Sequence, residues 1–138
     1  MNRRSFLWLA TSLTAVGFIS TKEGRAQPQM AGGLYYTHDF SGRWKGKEAG
    51  HVPKIEILKN KGKAQIQVMT AHEMKGCEHY IVKHIVLDKN YRFLDEHLFN
   101  PEKDQVPVSR FALGNYTGQV YVLSVCNKHD TWLNHTLI

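Results

Sequence analysis

Polar and apolar positions alternate with period two in several short runs of this chain. Lys54-Ile55-Glu56-Ile57-Leu58 alternates, and so does Ala64-Gln65-Ile66-Gln67-Val68-Met69. Asn60-Lys61-Gly62 between them is a hairpin turn signal. His79 to Leu87 is rich in β-branched and aromatic residues, which predicts a strand with Ile81, Ile85 and Leu87 on one face. His84 then falls on the opposite, at most partly buried face. Val106 to Leu113 and Gln119 to Val125 read as two more strands joined by Gly114-Asn115-Tyr116-Thr117-Gly118, and Thr131 to Ile138 closes the chain. The one stretch that reads as helical is Asp95 to Phe99. Pro53, Pro101 and Pro107 fall at proposed strand starts or in loops, where a missing N–H is tolerated. About seven short strands with regular turn signals predict an all-β antiparallel sandwich.

The first residues break this pattern. Residues 1–26 begin basic (Arg3, Arg4), run apolar from Phe6 to Ile19, and end small at Gly24-Arg25-Ala26. That layout predicts an export signal peptide, cut after Ala26. Asn2-Arg3-Arg4-Ser5-Phe6-Leu7 resembles a twin-arginine signal, which implies a folded passenger and a periplasmic or otherwise exported location. Residues 27–43 have no clear period and read as an N-terminal extension with a short strand at Leu34-Tyr35-Tyr36. The remaining 44–138 form the predicted domain.

Charge then excludes several function classes. The signal takes four of the 18 basic residues and one of the 12 acidic ones, so the rest carries 14 against 11, or +3 instead of +6. An excess that small does not make a phosphate-tracking stripe. The apolar run falls short of the roughly 20 residues of a membrane span. No G-x-G-x-x-G follows a strand-like run, which argues against a dinucleotide-binding fold.

The candidate chemistry lies in eight histidines and two cysteines. Cys126-Asn127-Lys128-His129 places a thiolate and an imidazole where a strand runs into a loop, a pair suited to zinc, copper or iron. His72 and His79 bracket a short loop, and His51 begins a strand in Gly50-His51-Val52-Pro53. All of these fall at strand edges, where loops of a sandwich converge. His38, His97 and His135 read as solvated loop or surface residues. In an oxidising compartment the default for Cys77 and Cys126 is a disulfide, which would compete with a metal for Cys126.

Four blocks resemble the superoxide reductases of the neelaredoxin and desulfoferrodoxin iron-domain family. Trp44-Lys45-Gly46 followed by His51-Val52-Pro53 is similar to W-K-G-E-K-H-V-P. His72-x-Met74 and Glu78-His79-Tyr80-Ile81 are similar to H-P-M/N-T-x-E-H-Y/H-I. Tyr121-Val122-Leu123-Ser124-Val125-Cys126-Asn127-Lys128-His129 with Trp132 resembles Y-x-L-S-x-C-N-x-H-x-x-W. The resemblance implies an immunoglobulin-like β-sandwich with one mononuclear non-haem iron. His51, His72, His79 and His129 would be equatorial ligands and Cys126 the axial one. It implies one-electron reduction of superoxide to hydrogen peroxide, an external electron donor protein, and a homo-oligomer. Glu48 and Lys47 stand nearest to the family's Glu-Lys pair and are the expected catalytic residues.

Two departures bear on that reading. The loop Lys47-Glu48-Ala49-Gly50 is two residues longer and places Glu48 and Lys47 in inverted order before His51. The His72–His79 loop is one residue longer and lacks the family's prolines. Lys47 or Lys75 is then the candidate for the family's lysine. Two rivals remain: an exported metal-binding sandwich without efficient superoxide chemistry, and a blue-copper-like electron carrier, although no methionine follows Cys126.

Overall fold

The computed structural model describes residues 29–138; the predicted signal at 1–26 lies outside them. Seven antiparallel strands form two sheets: β1 (Lys54–Asn60), β2 (Lys63–Met69), β3 (Ile81–Leu87), β4 (Phe93–Leu98), β5 (Val108–Gly114), β6 (Gln119–Cys126) and β7 (Thr131–Leu137). One sheet has the order β1-β2-β5 and the other β4-β3-β6-β7. This is the all-β antiparallel sandwich the alternation predicts, in two sheets as the immunoglobulin-like fold implied by the family resemblance requires.

Alternation builds the core directly. Along β6, Val120, Val122, Ser124 and Cys126 all point inward and are buried, while their neighbours are partly exposed. Ile66 and Val68 of β2, Val86 of β3 and Phe111 of β5 meet Val120 and Val122 in the main apolar cluster. Burying each such side chain contributes about 1.5–3 kcal/mol. The β1–β2 hairpin turns at Lys61 and Gly62, with φ of 50° and 75°, the two positive values a two-residue hairpin turn requires.

Three elements differ from the sequence expectation. Asp95 to Phe99 is not helical: Phe93–Leu98 is edge strand β4, paired with β3. Six residues are too few for propensity to decide, and pairing along β3 overrides it. In β3 the register shifts between Ile81 and Lys83. This irregularity turns His84 and Val86 inward together with Ile81, leaving Ile85 and Leu87 outward. His84 is therefore fully buried rather than near the surface. Leu34-Tyr35-Tyr36 is not a strand; only isolated bridges tie Ala31 to Tyr35 and Tyr36 to Trp132. Tyr36 is nonetheless buried and packs on Trp132, so the segment closes the sandwich end that carries the histidines.

Two short helical pieces precede β1. Gly42–Trp44 is a 3-10 turn, and α1 (Glu48–His51) is one α-helical turn. His51 ends this turn instead of beginning a strand. At Gly42, with φ of 50°, an added Cβ would collide with the Gly32 carbonyl, so only glycine fits there.

Candidate metal centre

Each of the five predicted ligands ends or follows a different local structure. His51 closes α1, His72 follows β2, and His79 ends the turn that opens at Lys75. Cys126 is the last residue of β6, and His129 lies in the turn to β7. The five donor atoms lie within 4.8 Å of one another. His51 Nε2 is 3.0 Å from His129 Nδ1. His129 Nδ1 is 3.1 Å from His79 Nε2, and His79 Nε2 is 3.0 Å from His72 Nε2. Cys126 Sγ is 3.6 Å from His129 Nδ1 and 3.8 Å from His72 Nε2.

These contacts cannot all be hydrogen bonds. A neutral ring nitrogen carries either one proton or one lone pair. His129 Nδ1 and His79 Nε2 each face two other nitrogens. The three consecutive N···N edges of 3.0–3.1 Å bring the four rings around one point, where a single cation would accept a lone pair from each. With the sulfur beside them, the donor set is four imidazoles and one thiolate converging on one point.

Burial prepares these imidazoles for a metal. Burial is the first cause lowering the pKa of all four, and it takes His51 to about 4. Neighbouring imidazoles add to the shift, and Lys128 and Lys47 do so for His79 and His129. Neutral rings with free lone pairs are the metal-binding form.

Supporting contacts fix the rings. The Nδ1–H of His51 donates to the Lys47 carbonyl at 2.8 Å, which turns Nε2 toward the cluster. The His51 ring lies over Trp132 at 5.4 Å, and Trp44 meets His129 edge-on at 4.7 Å. Trp132 Nε1–H donates to the His129 carbonyl at 2.8 Å. The Lys128 N–H donates to Cys126 Sγ at 3.5 Å.

Residues 42–135 match the model of the desulfoferrodoxin family, more than half of the chain. The chain belongs to the desulfoferrodoxin family. Among solved structures it is similar to superoxide reductase (neelaredoxin) from Ignicoccus hospitalis, with 26% identity over 76% of this chain and 94% of that one, TM-score 0.61. A superoxide reductase solved in the oxidised state matches at 25% identity over 70% of this chain and 93% of that one, TM-score 0.55. Superoxide reductase from Nanoarchaeum equitans, 16% identical over 66% and 94%, TM-score 0.57, shares the fold. No curated protein sequence matches. Desulfoferrodoxins bind non-haem iron, and this desulfoferrodoxin's His51, His72, His79, His129 and Cys126 fit that metal in number and donor type.

The two candidate catalytic residues part company in the structure. The Lys47 charge acts on both half-buried ligands, His79 and His129. The Glu48 carboxylate is not among the five donors. It accepts from the Gly46 N–H at 2.9 and 3.1 Å and lines a cavity of about 650 Å³ with His38, Tyr35 and Lys54. The Ser41 hydroxyl first, then backbone N–H groups, hold its pKa below the usual carboxylate value. Lys75 pairs with Glu73 at 2.9 Å, and Lys128 approaches Glu78 at 3.8 Å. Among the described residues no carboxylate pairs with Lys47.

Cys77 and Cys126 are both free thiols, one exposed and one buried, so no disulfide competes for the ligand. Two supports carry no clear signal in the sequence. Asn127 binds the 77–80 segment through several hydrogen bonds. Asp130 accepts from Arg43 Nη2 at 2.6 Å and Trp44 Nε1 at 2.8 Å. Their only hint is their place inside or beside the Cys126–His129 motif.

Proposed function

We propose that this desulfoferrodoxin is a superoxide reductase. The reaction takes one superoxide, one electron from an external donor protein and two protons, and yields one hydrogen peroxide. The observation that carries this reading is the convergence of His51, His72, His79, His129 and Cys126 on one point at a partly open end of the sandwich. Iron held there supplies a one-electron couple tuned by the thiolate.

The chain's own residues account for the rest of the reading. His51, His72 and Cys126 are buried while His79 and His129 are half-buried, so a small anion enters on the side of the latter two. Lys47, free of a carboxylate partner among the described residues, puts its charge on the His79 and His129 side and attracts that anion there. Orienting the protonating water is the further role the family resemblance implies for it. Glu48 holds the turn that presents Lys47, through its contact with the Gly46 N–H. The Lys128 N–H on Cys126 Sγ moderates the charge the thiolate donates. Export through a twin-arginine signal at 1–26 belongs to the same reading: a preloaded metal centre is cargo for a pathway that carries folded proteins.

Mixing the ferrous protein with superoxide in a stopped-flow instrument tests this. Rapid oxidation of the centre with one peroxide formed per iron supports it. A ferrous centre indifferent to superoxide supports the second reading, an exported metal-binding sandwich, which the engaged Glu48 carboxylate favours.

A further inference from the structure

Between the apolar core and the metal centre lies a polar layer. Thr70, His84, Ser109 and Ser124 are all buried, three of them completely. Thr70 Oγ1 is 2.8 Å from His84 Nε2 and 2.8 Å from Ser124 Oγ, and Ser109 Oγ is 2.7 Å from His84 Nδ1. Thr70 and Ser109 belong to the three-stranded side, at the end of β2 and on β5. His84 and Ser124 face each other on β3 and β6 of the other sheet. The layer therefore hydrogen-bonds one sheet to the other across the sandwich.

Its position relative to the ligands is specific. Thr70 stands two residues before His72, and its carbonyl accepts the His72 N–H at 2.8 Å. Ser124 stands two residues before Cys126 on the same inward row of β6. The Thr70–Ser124 bond is thus a cross-sheet link between the segments that carry one imidazole ligand and the thiolate. Cys126 Sγ and His72 Nε2 are 3.8 Å apart just beyond it. A buried hydroxyl and imidazole persist in a core only when hydrogen-bonded, and apolar side chains of similar shape could fill this layer.

We propose that the Thr70–Ser124 hydrogen bond, braced by His84, is a clamp that sets the separation of His72 and Cys126 and so the strength of the thiolate–metal bond. The clamp residues position the ligands and touch neither metal nor substrate. Ser109, on the far side of His84, braces the layer without adjoining a ligand segment.

The proposal rests on the metal-centre reading, and cobalt(II) loaded into the full chain tests it without superoxide. The readouts are the thiolate-to-cobalt absorption band, the rate of cobalt loss to a chelator, and the urea midpoint of the metal-free chain. Ser124→Ala and Thr70→Val are expected to shift the band and speed cobalt loss about tenfold, with Ser109→Ala within about twofold of wild type although its urea midpoint falls as well. Thr70→Ser, which keeps the hydroxyl, is expected to restore wild-type release. Should Thr70→Val not fold, Ser124→Ala decides alone. Wild-type band and release in Ser124→Ala, or equal acceleration in Ser109→Ala, overturns the clamp. A wild-type chain that takes up no cobalt overturns the metal-centre reading and the clamp with it.

Discussion

Asn127 and Tyr80 exchange two hydrogen bonds. The Tyr80 N–H donates to Asn127 Oδ1 at 3.0 Å, and the Asn127 N–H donates to the Tyr80 carbonyl at 3.2 Å. The Asn127 side-chain amide also reaches the Glu78 carbonyl at 3.0 Å. A residue adjacent to one ligand thereby pins the segment that carries another, His79. Asn127→Ala removes the side-chain bonds and frees that segment. Iron affinity, measured by competition with a chelator, is expected to fall about 10- to 100-fold. An unchanged affinity would show that His79 is held by its own loop.

Among the described residues Lys47 pairs with no carboxylate, and its charge acts on His79 and His129. The proposed function makes it the group that attracts superoxide. In Lys47→Glu the rate of ferrous oxidation by superoxide is expected to fall about tenfold at low salt. Its dependence on ionic strength should reverse, because attraction becomes repulsion. Stopped-flow rates over a salt series check both. A Lys47→Glu rate equal to wild type would pass the role to Lys128 or Lys75.

Burial pushes the His84 pKa down to about 3 from an ordinary 6.5. The unfolded chain therefore binds a proton that the folded chain refuses between those values. Stability from this group is complete above pH 6.5 and is lost as pH falls toward 3, at up to about 1.4 kcal/mol per pH unit. The metal ligands of the metal-free chain shift the same way. Urea midpoints of the metal-free protein should fall steadily from pH 7 to pH 4, and less steeply in His84→Gln. Equal slopes in the two proteins would show that His84 is not a buried neutral imidazole.

Asp130 has φ of 61°, a conformation that disfavours most non-glycine residues. Its carboxylate joins the ligand turn to Arg43 and Trp44. Asp130→Asn keeps an acceptor for Trp44 and tolerates that backbone; Asp130→Ala does neither. Thermal midpoints should rank wild type, Asn, then Ala, with Ala about 1–3 kcal/mol less stable. An Ala variant as stable as wild type would leave the carboxylate without a structural role.

Much of this architecture was legible as a pattern. Six of the seven strands are signalled by alternation, β-branched content or bounding turns, and burial on one face of a sheet leaves the alternation plain in residues such as Ile66 and Val68 or Val120 and Val122. β4 escaped because its Phe93, Leu94 and Leu98 lie exposed at a sheet edge, where no buried face imposes alternation. His84 was misplaced because one register shift at Ile81/Lys83 reverses the faces of the strand that follows. The ligand set was legible through motif spacing. Asn127, Trp44 and Trp132 fall inside the same motif blocks, but what they hold does not show there, and Asp130 and Thr70 carry no signal because they act through contacts distant in sequence. The longer loop before His51 reads as an irregularity in the chain, yet it winds into α1 and brings the Lys47 carbonyl to the His51 ring.

The central claim is one iron held by four imidazoles and the Cys126 thiolate. Metal analysis of the purified protein, with the visible spectrum of its ferric form beside that of Cys126→Ser, tests it most directly. One iron per chain is expected, with a thiolate-to-iron absorption band that vanishes in the serine variant. Iron-loaded protein whose band survives Cys126→Ser, or whose Cys126 is joined to Cys77 in a disulfide, would contradict it.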